Sequence, residues 1–257
     1  PFTKVAKEIG NPIFANMVAV GLIAAIFRIN RQIPLEYTRK HFFAKGEKII
    51  LGNITAIKRG YELASDLIKK ESVAQLSIPV PDPKQNIKEE IILNGAEAVS
   101  LGAISGGCNF ISAYPMSPST GVLTFLSQHA KEFNIITEQA EDEISAINMA
   151  LGAWYAGARG MVTTSGGGFA LMQEGVSLAG MLESPIVIHL AQRPGPATGL
   201  PTRTEQGDLE LALYSGHGDF PRMIYAPGGI QDLFYLTQRA FNLADKYQIP
   251  VFILTDE

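Results

Sequence analysis

The sequence predicts an α/β fold, a parallel sheet with helices on both faces over residues 91–257, preceded by a mostly helical piece over residues 1–76. After residue 91, short apolar runs alternate with segments of helical period. Several runs, such as PIVIHLA, are apolar at consecutive positions, so both faces of the strand are apolar. This is typical of parallel strands covered by helices. Between the two parts, SIPVPDPKQNIKEE has three prolines and no apolar period, so we predict a linker at 77–90.

In the first part, GYELASDLIKK at 60–70 has a helical pattern. The apolar stretch MVAVGLIAAIF at 17–27 has eleven residues, fewer than the ~20 that span a bilayer, and predicts a buried helix. No secretion signal precedes it, so we expect a cytoplasmic protein without a membrane partner. The chain begins without methionine and ends directly after a strand-like run, which suggests a fragment of a longer chain.

In the second part, helices and strands alternate along the chain. The predicted order is a helix from about Gly95, strand 110–114, helix 119–133, strand 134–137, a helix carrying Ile144 and Trp154, strand 161–165, a helix through Met172 and Leu178, strand 185–191, a long loop, strand 222–226, helix 230–247 and strand 250–254.

Composition excludes several kinds of site. The net charge of -4, with dispersed Lys and Arg, argues against nucleic acid. The single cysteine, Cys108, excludes a disulfide within the chain and an iron–sulfur cluster made by this chain alone. No histidine–carboxylate spacing predicts a metal site, and no GxSxG predicts a serine nucleophile.

The loops after the predicted strands hold most of the unusual residues: YPMSPST (114–120), EQAEDE (138–143), SGGG (165–168) and QRPGPATGLPTRTEQGD (192–208). In a parallel sheet these loops share the edge where ligands bind, so we predict one shared site. The guanidinium group of Arg193 can donate two parallel hydrogen bonds to a carboxylate. A loop as long as 192–208 is usually either functional or disordered.

Each of these loops also has a purely structural interpretation. The acids of EQAEDE suit the first turn of a helix, although four are more than capping needs. Ser117 or Ser119 can cap the helix that follows. SGGG matches neither GxGxxG nor a P-loop, so a tight turn that allows close backbone approach competes with phosphate binding.

The four histidines give little evidence for chemistry. His189 lies inside an apolar strand and is interpreted as a core histidine with satisfied hydrogen bonds. His217 lies in a glycine-containing loop, where a ligand contact and an ordinary loop role both remain open. His41 and His129 are predicted to be surface residues.

Four segments together resemble the alpha subunit of the 2-oxoacid:ferredoxin oxidoreductases, in the form with a preceding gamma-type segment. They are AYPMSPST, EDEISAINMALGAWYAGARGMVTTSGGGFALMQEG, QRPGPATGLPTRTEQGDL and GHGDFPRMIYAPGG. The resemblance covers residues 91–257 closely. PFTKVAKEIGNP and NMVAVG extend it over residues 1–76, as the end of the gamma-type domain.

The resemblance implies oxidative decarboxylation of a 2-oxo acid on thiamine diphosphate, with coenzyme A and ferredoxin as co-substrate and electron acceptor. The GLPTRTEQGD loop favours 2-oxoglutarate, also through the resemblance alone. Residues 91–257 then form the domain that binds the pyrimidine half of the cofactor. The competing hypotheses are a non-catalytic α/β scaffolding subunit and a dinucleotide-binding dehydrogenase; the missing GxGxxG weakens the dehydrogenase hypothesis.

The resemblance also implies roles for single residues. Glu143 corresponds to the glutamate that meets the aminopyrimidine ring and is the predicted catalytic residue. Arg193 and Ser117 correspond to residues that hold the substrate carboxylate, with Thr202 as a further contact. The predicted cofactor-binding residues beside Glu143 are Tyr114, Pro115, Ser165 and Gly166. The family usually has threonine at Ser117 and isoleucine at Met116, so the shape of the pocket departs from the family pattern.

The magnesium–diphosphate signature, GDG followed some thirty residues later by Asn, is absent; GDL (207–209) and GDF (218–220) lack its third glycine. We therefore expect a beta subunit to supply the diphosphate half, the magnesium ion and the iron–sulfur cluster. The expected assembly is an alpha–beta complex repeated by a two-fold axis.

Overall fold

The computed structural model describes residues 2–76 and 90–256. The chain divides into two compact units, Pro1–Glu90 and Ile91–Glu257. Except for Glu90, the predicted linker lies outside the described residues.

The first unit is helical in its described part. Its helices are α1 (Phe2–Ile9), α2 (Ala15–Ile26), α3 (Gln32–His41) and α4 (Glu47–Lys69), with single 3₁₀ turns at Pro12–Phe14 and Phe43–Lys45. The helix predicted at 60–70 is thus the end of a helix that begins at Glu47.

Two glycines let α2 and α4 pack backbone against backbone. A Cβ on Gly21 would overlap the carbonyl oxygen of Ile57, and one on Gly60 would overlap that of Val18. The expectation of a buried α2 holds on this side only, because Ile23 on another side of the helix is 50% exposed. Within the described residues, no helix is both long and apolar enough to cross a membrane.

The second unit contains a six-stranded, all-parallel sheet in the order β2-β1-β3-β4-β6-β5, which confirms the predicted fold class. The strands are β1 (Phe110–Ala113), β2 (Ile136–Gln139), β3 (Gly160–Thr164), β4 (Ile186–Ala191), β5 (Met223–Tyr225) and β6 (Pro250–Thr255). The helices are α5 (Gly95–Ser105), α6 (Thr120–Gln128), α7 (Ala130–Phe133), α8 (Glu143–Tyr155), α9 (Gly166–Leu171), α10 (Gln173–Leu182), α11 (Leu209–Leu213) and α12 (Ile230–Tyr247).

Three predicted elements differ from the structure by more than a residue at an end. The strand predicted at 134–137 begins later, at Ile136, because Asn134 adopts a left-handed conformation (φ 53°) that ends α7. The strand then continues to Gln139, with Glu138 opposite Ser112 of β1. The helix predicted over 119–133 is divided between α6 and α7, and the one through Met172 is divided between α9 and α10.

Helices cover both faces of the sheet. Helix α5 packs against α6 and α12, while α8 packs against α9 and α10. From β1 the chain runs outward to edge strand β2 and then returns past β1 to β3. The loops after β1 and β3 therefore diverge, and a crevice at such a switch point is where open α/β sheets bind ligands.

Candidate active site

Four polar groups without a hydrogen-bond partner among the described residues lie in the loops and helix starts that follow the strands. Among the described residues, five buried side-chain nitrogen or oxygen atoms have no hydrogen-bond partner: Glu143 Oε1, Ser165 Oγ, Arg193 Nε, Asp208 Oδ2 and, in α12, Thr237 Oγ1. A buried polar group without a partner is unfavourable by about 1–3 kcal/mol. Because the first four follow the carboxyl ends of the strands, this edge of the sheet is suited to a polar ligand.

Glu143 is the first residue of α8 and is only 4% exposed. The capping of α8 is performed by Asp142, whose Oδ1 accepts a hydrogen bond from the Ser145 N–H at 2.6 Å. Of the other acids in EQAEDE, Glu138 lies in β2 and Glu141 is exposed. The carboxyl group of Glu143 is therefore not needed to cap the helix.

The glycine turn, residues 165–168, lies beside Glu143. A Cβ on Gly168 would lie 2.6 Å from Glu143 Oε1 and would also overlap Thr164 Oγ1. Glu143 can hold its position only because residue 168 has no side chain.

The other two glycines of the turn face the long loop 192–208. A Cβ on Gly167 would lie 3.0 Å from the carbonyl oxygen of Ala197, and one on Gly166 would lie 2.6 Å from Asp208 Oδ1. All three glycines thus permit the predicted close approach of another segment, but they form the first turn of α9 and not a tight turn before the helix. Ser165, which precedes α9, is fully buried and its hydroxyl caps nothing.

The structure brings Arg193 and Ser117 together. Arg193 follows β4, is 8% exposed, and its Nη1 donates a 2.7 Å hydrogen bond to the Ser117 carbonyl oxygen. The contact uses the backbone of Ser117, whose side chain is exposed. One end of the guanidinium is fixed, while Nε has no hydrogen-bond partner within residues 2–76 and 90–256; this arrangement is suited to binding a carboxylate.

The remaining predicted residues are less enclosed. Tyr114 directly follows β1 and is 41% exposed. Pro115 is half-buried and borders a cavity of about 290 Å³ next to β2. Thr202 is exposed, and within the described chain its side chain makes no hydrogen bond to Glu143 or Arg193. Its predicted role therefore has no support from contacts.

The loop 192–208 is closed at its base. Gln192 Oε1 accepts a 2.9 Å hydrogen bond from the Asp208 N–H, and the Gln192 N–H donates to the Thr255 carbonyl oxygen at 2.8 Å. Gln206 Nε2 also donates to Asp256 Oδ2 at 2.7 Å. These bonds give the loop a defined path over the glycine turn.

Asp208 is a site residue that the sequence did not identify. Burial, and secondarily the charge of Glu205, raise the pKa of its carboxyl group above the ordinary value. In the sequence it appears only as part of GDL, an incomplete diphosphate motif, and as an acid before a short helix. Its contact with Gly166 results from tertiary packing, for which the sequence has no local signal.

His189 is a core histidine with both ring nitrogens bonded, as predicted. Nδ1 lies 2.8 Å from Thr163 Oγ1 and Nε2 lies 3.1 Å from Thr255 Oγ1. Burial lowers the pKa of His189 to about 4, so the ring is neutral at pH 7. His217 is exposed, and its backbone N–H donates to Ser177 Oγ at 2.9 Å, away from the residues above.

No metal-binding cluster of three or more His, Cys, Asp or Glu side chains occurs within residues 2–76 and 90–256. Cys108 is buried, and burial raises the pKa of its thiol to about 12. The thiol therefore stays protonated at neutral pH.

Both parts of the chain match known families. Residues 101–257 match the family described as pyruvate flavodoxin/ferredoxin oxidoreductase, thiamine diphosphate-binding. Residues 1–63 match the family described as pyruvate ferredoxin/flavodoxin oxidoreductase.

Curated relatives have consistent names. The chain is 44% identical over 166 residues to a 2-oxoglutarate synthase subunit KorA of Archaeoglobus fulgidus, a match that covers 65% of the chain and 48% of the relative. It is 36% identical over 255 residues to subunit alpha of 2-oxoacid:ferredoxin oxidoreductase 2 of Aeropyrum pernix. This match covers 93% of the chain and 39% of the relative. The chain thus spans less than half the length of these relatives.

A solved structure matches the whole chain. It is the 2-oxoglutarate:ferredoxin oxidoreductase from Magnetococcus marinus with 2-oxoglutarate, coenzyme A and succinyl-CoA bound. The TM-score is 0.84 at 40% identity, and the match covers 100% of this chain and 44% of the other.

Proposed function

Because the chain belongs to the thiamine diphosphate-binding family of pyruvate flavodoxin/ferredoxin oxidoreductases, we propose that it supplies the pyrimidine-binding part of a 2-oxoacid:ferredoxin oxidoreductase. The proposed reaction is oxidative decarboxylation of a 2-oxo acid with coenzyme A, giving an acyl-CoA, CO₂ and reduced ferredoxin. We propose 2-oxoglutarate as the substrate, since that acid is named for the Archaeoglobus relative and for the Magnetococcus structure.

The observation that carries the proposal is the buried Oε1 of Glu143 at the start of α8, which has no hydrogen-bond partner in the described part of the chain. A ring nitrogen of an aminopyrimidine is a suitable partner, because it can accept a hydrogen bond from a protonated carboxyl group or, when it is itself protonated, donate one to a carboxylate. The absence of a side chain at Gly168 keeps the position of the carboxyl group clear. The residues present therefore fit the pyrimidine half of thiamine diphosphate.

Glu143 would hold ring nitrogen N1′ through a hydrogen bond, and this bond would favour the imino tautomer of the aminopyrimidine. When bound, the cofactor supplies the carbanion chemistry of decarboxylation. The position of Glu143 in a helix, rather than in a loop, makes the direction of its carboxyl group reproducible.

Arg193 would bind the carboxylate that is common to all 2-oxo acids. Its Nη1 is already fixed by Ser117, so the guanidinium plane is oriented before substrate arrives. Orientation of this kind lowers the entropic barrier of the reaction. Selection among 2-oxo acids is then left to contacts with the rest of the substrate.

The proposal needs partner chains. A beta subunit would supply the diphosphate half of the site, its magnesium ion and the iron–sulfur cluster, and ferredoxin would accept the electrons. We propose an alpha–beta assembly with a two-fold axis. We also propose that residues 1–76 are the C-terminal part of a gamma-type domain, with 77–90 as linker and 91–257 as the pyrimidine-binding domain.

The test is 2-oxoglutarate oxidation with coenzyme A and a low-potential electron acceptor, in the complex co-expressed with its beta subunit. Glu143→Gln is expected to abolish turnover while assembly is kept. Glu141→Gln is the matched control, because Glu141 is an exposed acid of the same stretch. If Glu143→Gln retains wild-type turnover, Glu143 does not serve the cofactor and a scaffolding subunit becomes the better explanation.

A further inference from the structure

Two carboxyl groups pack on the first turn of α9. Glu143 occupies the space beside Gly168, and Asp208 occupies the space beside Gly166. At 100° per residue, positions 166 and 168 face nearly opposite sides of the helix. The first turn of α9 is therefore held between Glu143 and Asp208.

The direction of the Asp208 carboxyl group is unusual for its position. Asp208 directly precedes α11, where an aspartate normally accepts a hydrogen bond from a backbone N–H of the first turn. Here it makes no capping bond, and Oδ2 is buried without a partner among the described residues. Its packing against Gly166 thus replaces the usual local contact.

The backbone of Asp208 connects this packing to the substrate side of the site. Its N–H donates a 2.9 Å hydrogen bond to the side chain of Gln192, which directly precedes Arg193. One residue therefore contacts the turn beside Glu143 and the strand end that carries Arg193.

We propose that Asp208 is a positioning residue that couples the cofactor-binding and substrate-binding halves of this site, through its contacts with Gly166 and Gln192. The inference rests on the function proposed above for Glu143 and Arg193. Without the carboxyl group, the first turn of α9 is free to move away from Glu143, and the base of loop 192–208 is no longer held against that turn.

The experiment uses the complex with its beta subunit and measures two quantities besides turnover. Thiamine diphosphate with magnesium is titrated into the cofactor-depleted complex by calorimetry, and KM is determined for 2-oxoglutarate. For Asp208→Ala we expect Kd and KM each to rise about tenfold or more, because small misplacements of reacting groups have large effects. Glu205→Ala, in an exposed acid of the same loop, is expected to change neither.

A second variant tests the contact itself. Gly166→Ala alone introduces a methyl group that overlaps the Asp208 carboxyl group, so it is expected to weaken cofactor binding. In Gly166→Ala/Asp208→Ala the methyl group enters the space that the carboxyl group leaves. We expect the double variant to bind the cofactor more tightly than Gly166→Ala alone, so that the effects of the two substitutions are not additive, as is found for residues in contact.

Wild-type Kd and KM in an assembled Asp208→Ala complex would overturn the proposal. If Asp208→Ala does not assemble, the double variant decides. Assembly with tighter cofactor binding than Gly166→Ala supports the contact, and failure to assemble or binding no tighter than that of Gly166→Ala overturns it. The proposed function fails separately, when Glu143→Gln retains turnover. If Glu143→Gln loses turnover while Asp208→Ala keeps the wild-type Kd and KM, only the positioning role of Asp208 is refuted.

Discussion

Glu143 Oε1 lies where a side chain at Gly168 would have to be, since a Cβ there would be 2.6 Å away. The two residues are on different helices, α8 and α9, whose N-termini meet at one edge of the sheet. The identity of residue 168 therefore determines the position of the carboxyl group that we assign to the cofactor.

Gly168→Ala is expected to displace the Glu143 carboxyl group, because a side-chain end moves more easily than the backbone around it. Thiamine diphosphate affinity of the assembled complex should fall about tenfold or more, equivalent to at least ~1.4 kcal/mol of binding free energy. Calorimetric titration measures this effect.

The matched control is Gly152→Ala in α8, where a Cβ meets nothing within 4 Å. It should leave affinity unchanged and stabilise the helix by about 0.5–1 kcal/mol. Equal affinities for the Gly168→Ala and Gly152→Ala complexes would show that residue 168 does not control Glu143.

Arg193→Lys tests whether the guanidinium fork is required. Lysine keeps the charge, but it cannot bond the Ser117 carbonyl oxygen and a substrate carboxylate with the same planar geometry. We expect KM for 2-oxoglutarate to rise about tenfold or more, with thiamine diphosphate affinity unchanged.

Arg203→Lys, at an exposed position of the same loop, is the control for the loss of any arginine there. The variants are compared by steady-state kinetics and by cofactor titration in the assembled complex. A rise in cofactor Kd without a rise in KM for Arg193→Lys would assign Arg193 to the cofactor instead of the substrate.

The sequence predicts the sheet well because the strands β3, β4 and β6 are buried on both faces. Runs such as IVIHLA in β4 cannot occupy a solvent-exposed position, so their place in the sheet follows from composition. The predicted start of β2 was two residues too early. The left-handed conformation of Asn134, and not the hydrophobic pattern, determines where this strand begins.

The position of a site residue can be predicted where it depends on the local sequence pattern alone. It is much harder to predict where it depends on a contact between two loops. Glu143 stands at a helix start after a strand, and Arg193 follows a strand, so both could be placed at the shared edge. The contact of Asp208 with Gly166 joins segments forty-two positions apart in the printed sequence. No local pattern encodes such a contact.

His189 should make the second unit less stable in mild acid. The folded protein holds the pKa of His189 near 4, whereas the unfolded chain takes up the proton near the ordinary value of 6.5. The unfolded state therefore binds more protons between these values, and stability falls as the pH drops through this window. Between pH 7 and pH 5 the loss is on the order of 2 kcal/mol.

Urea unfolding, followed through the fluorescence of Trp154, the one tryptophan, measures this loss. His189→Gln should flatten the pH dependence, whereas His129→Gln, at a more exposed histidine, should leave most of it in place. An unchanged pH dependence in His189→Gln would assign the acid sensitivity to other groups.

Ser165→Ala should separate stability from ligand binding. The Ser165 hydroxyl is buried and has no hydrogen-bond partner among the described residues, so its removal takes away an unsatisfied group. Stability of the chain should stay the same or rise slightly, while thiamine diphosphate binding weakens if this hydroxyl serves the cofactor.

The comparison is Ser112→Ala, because the buried Ser112 hydroxyl donates a 2.6 Å hydrogen bond to the Ala146 carbonyl oxygen. That variant should lose about 1–2 kcal/mol of stability. If thermal unfolding shows that Ser165→Ala and Ser112→Ala are destabilised equally, the Ser165 hydroxyl has a hydrogen-bond partner within the protein and is not available to bind a ligand.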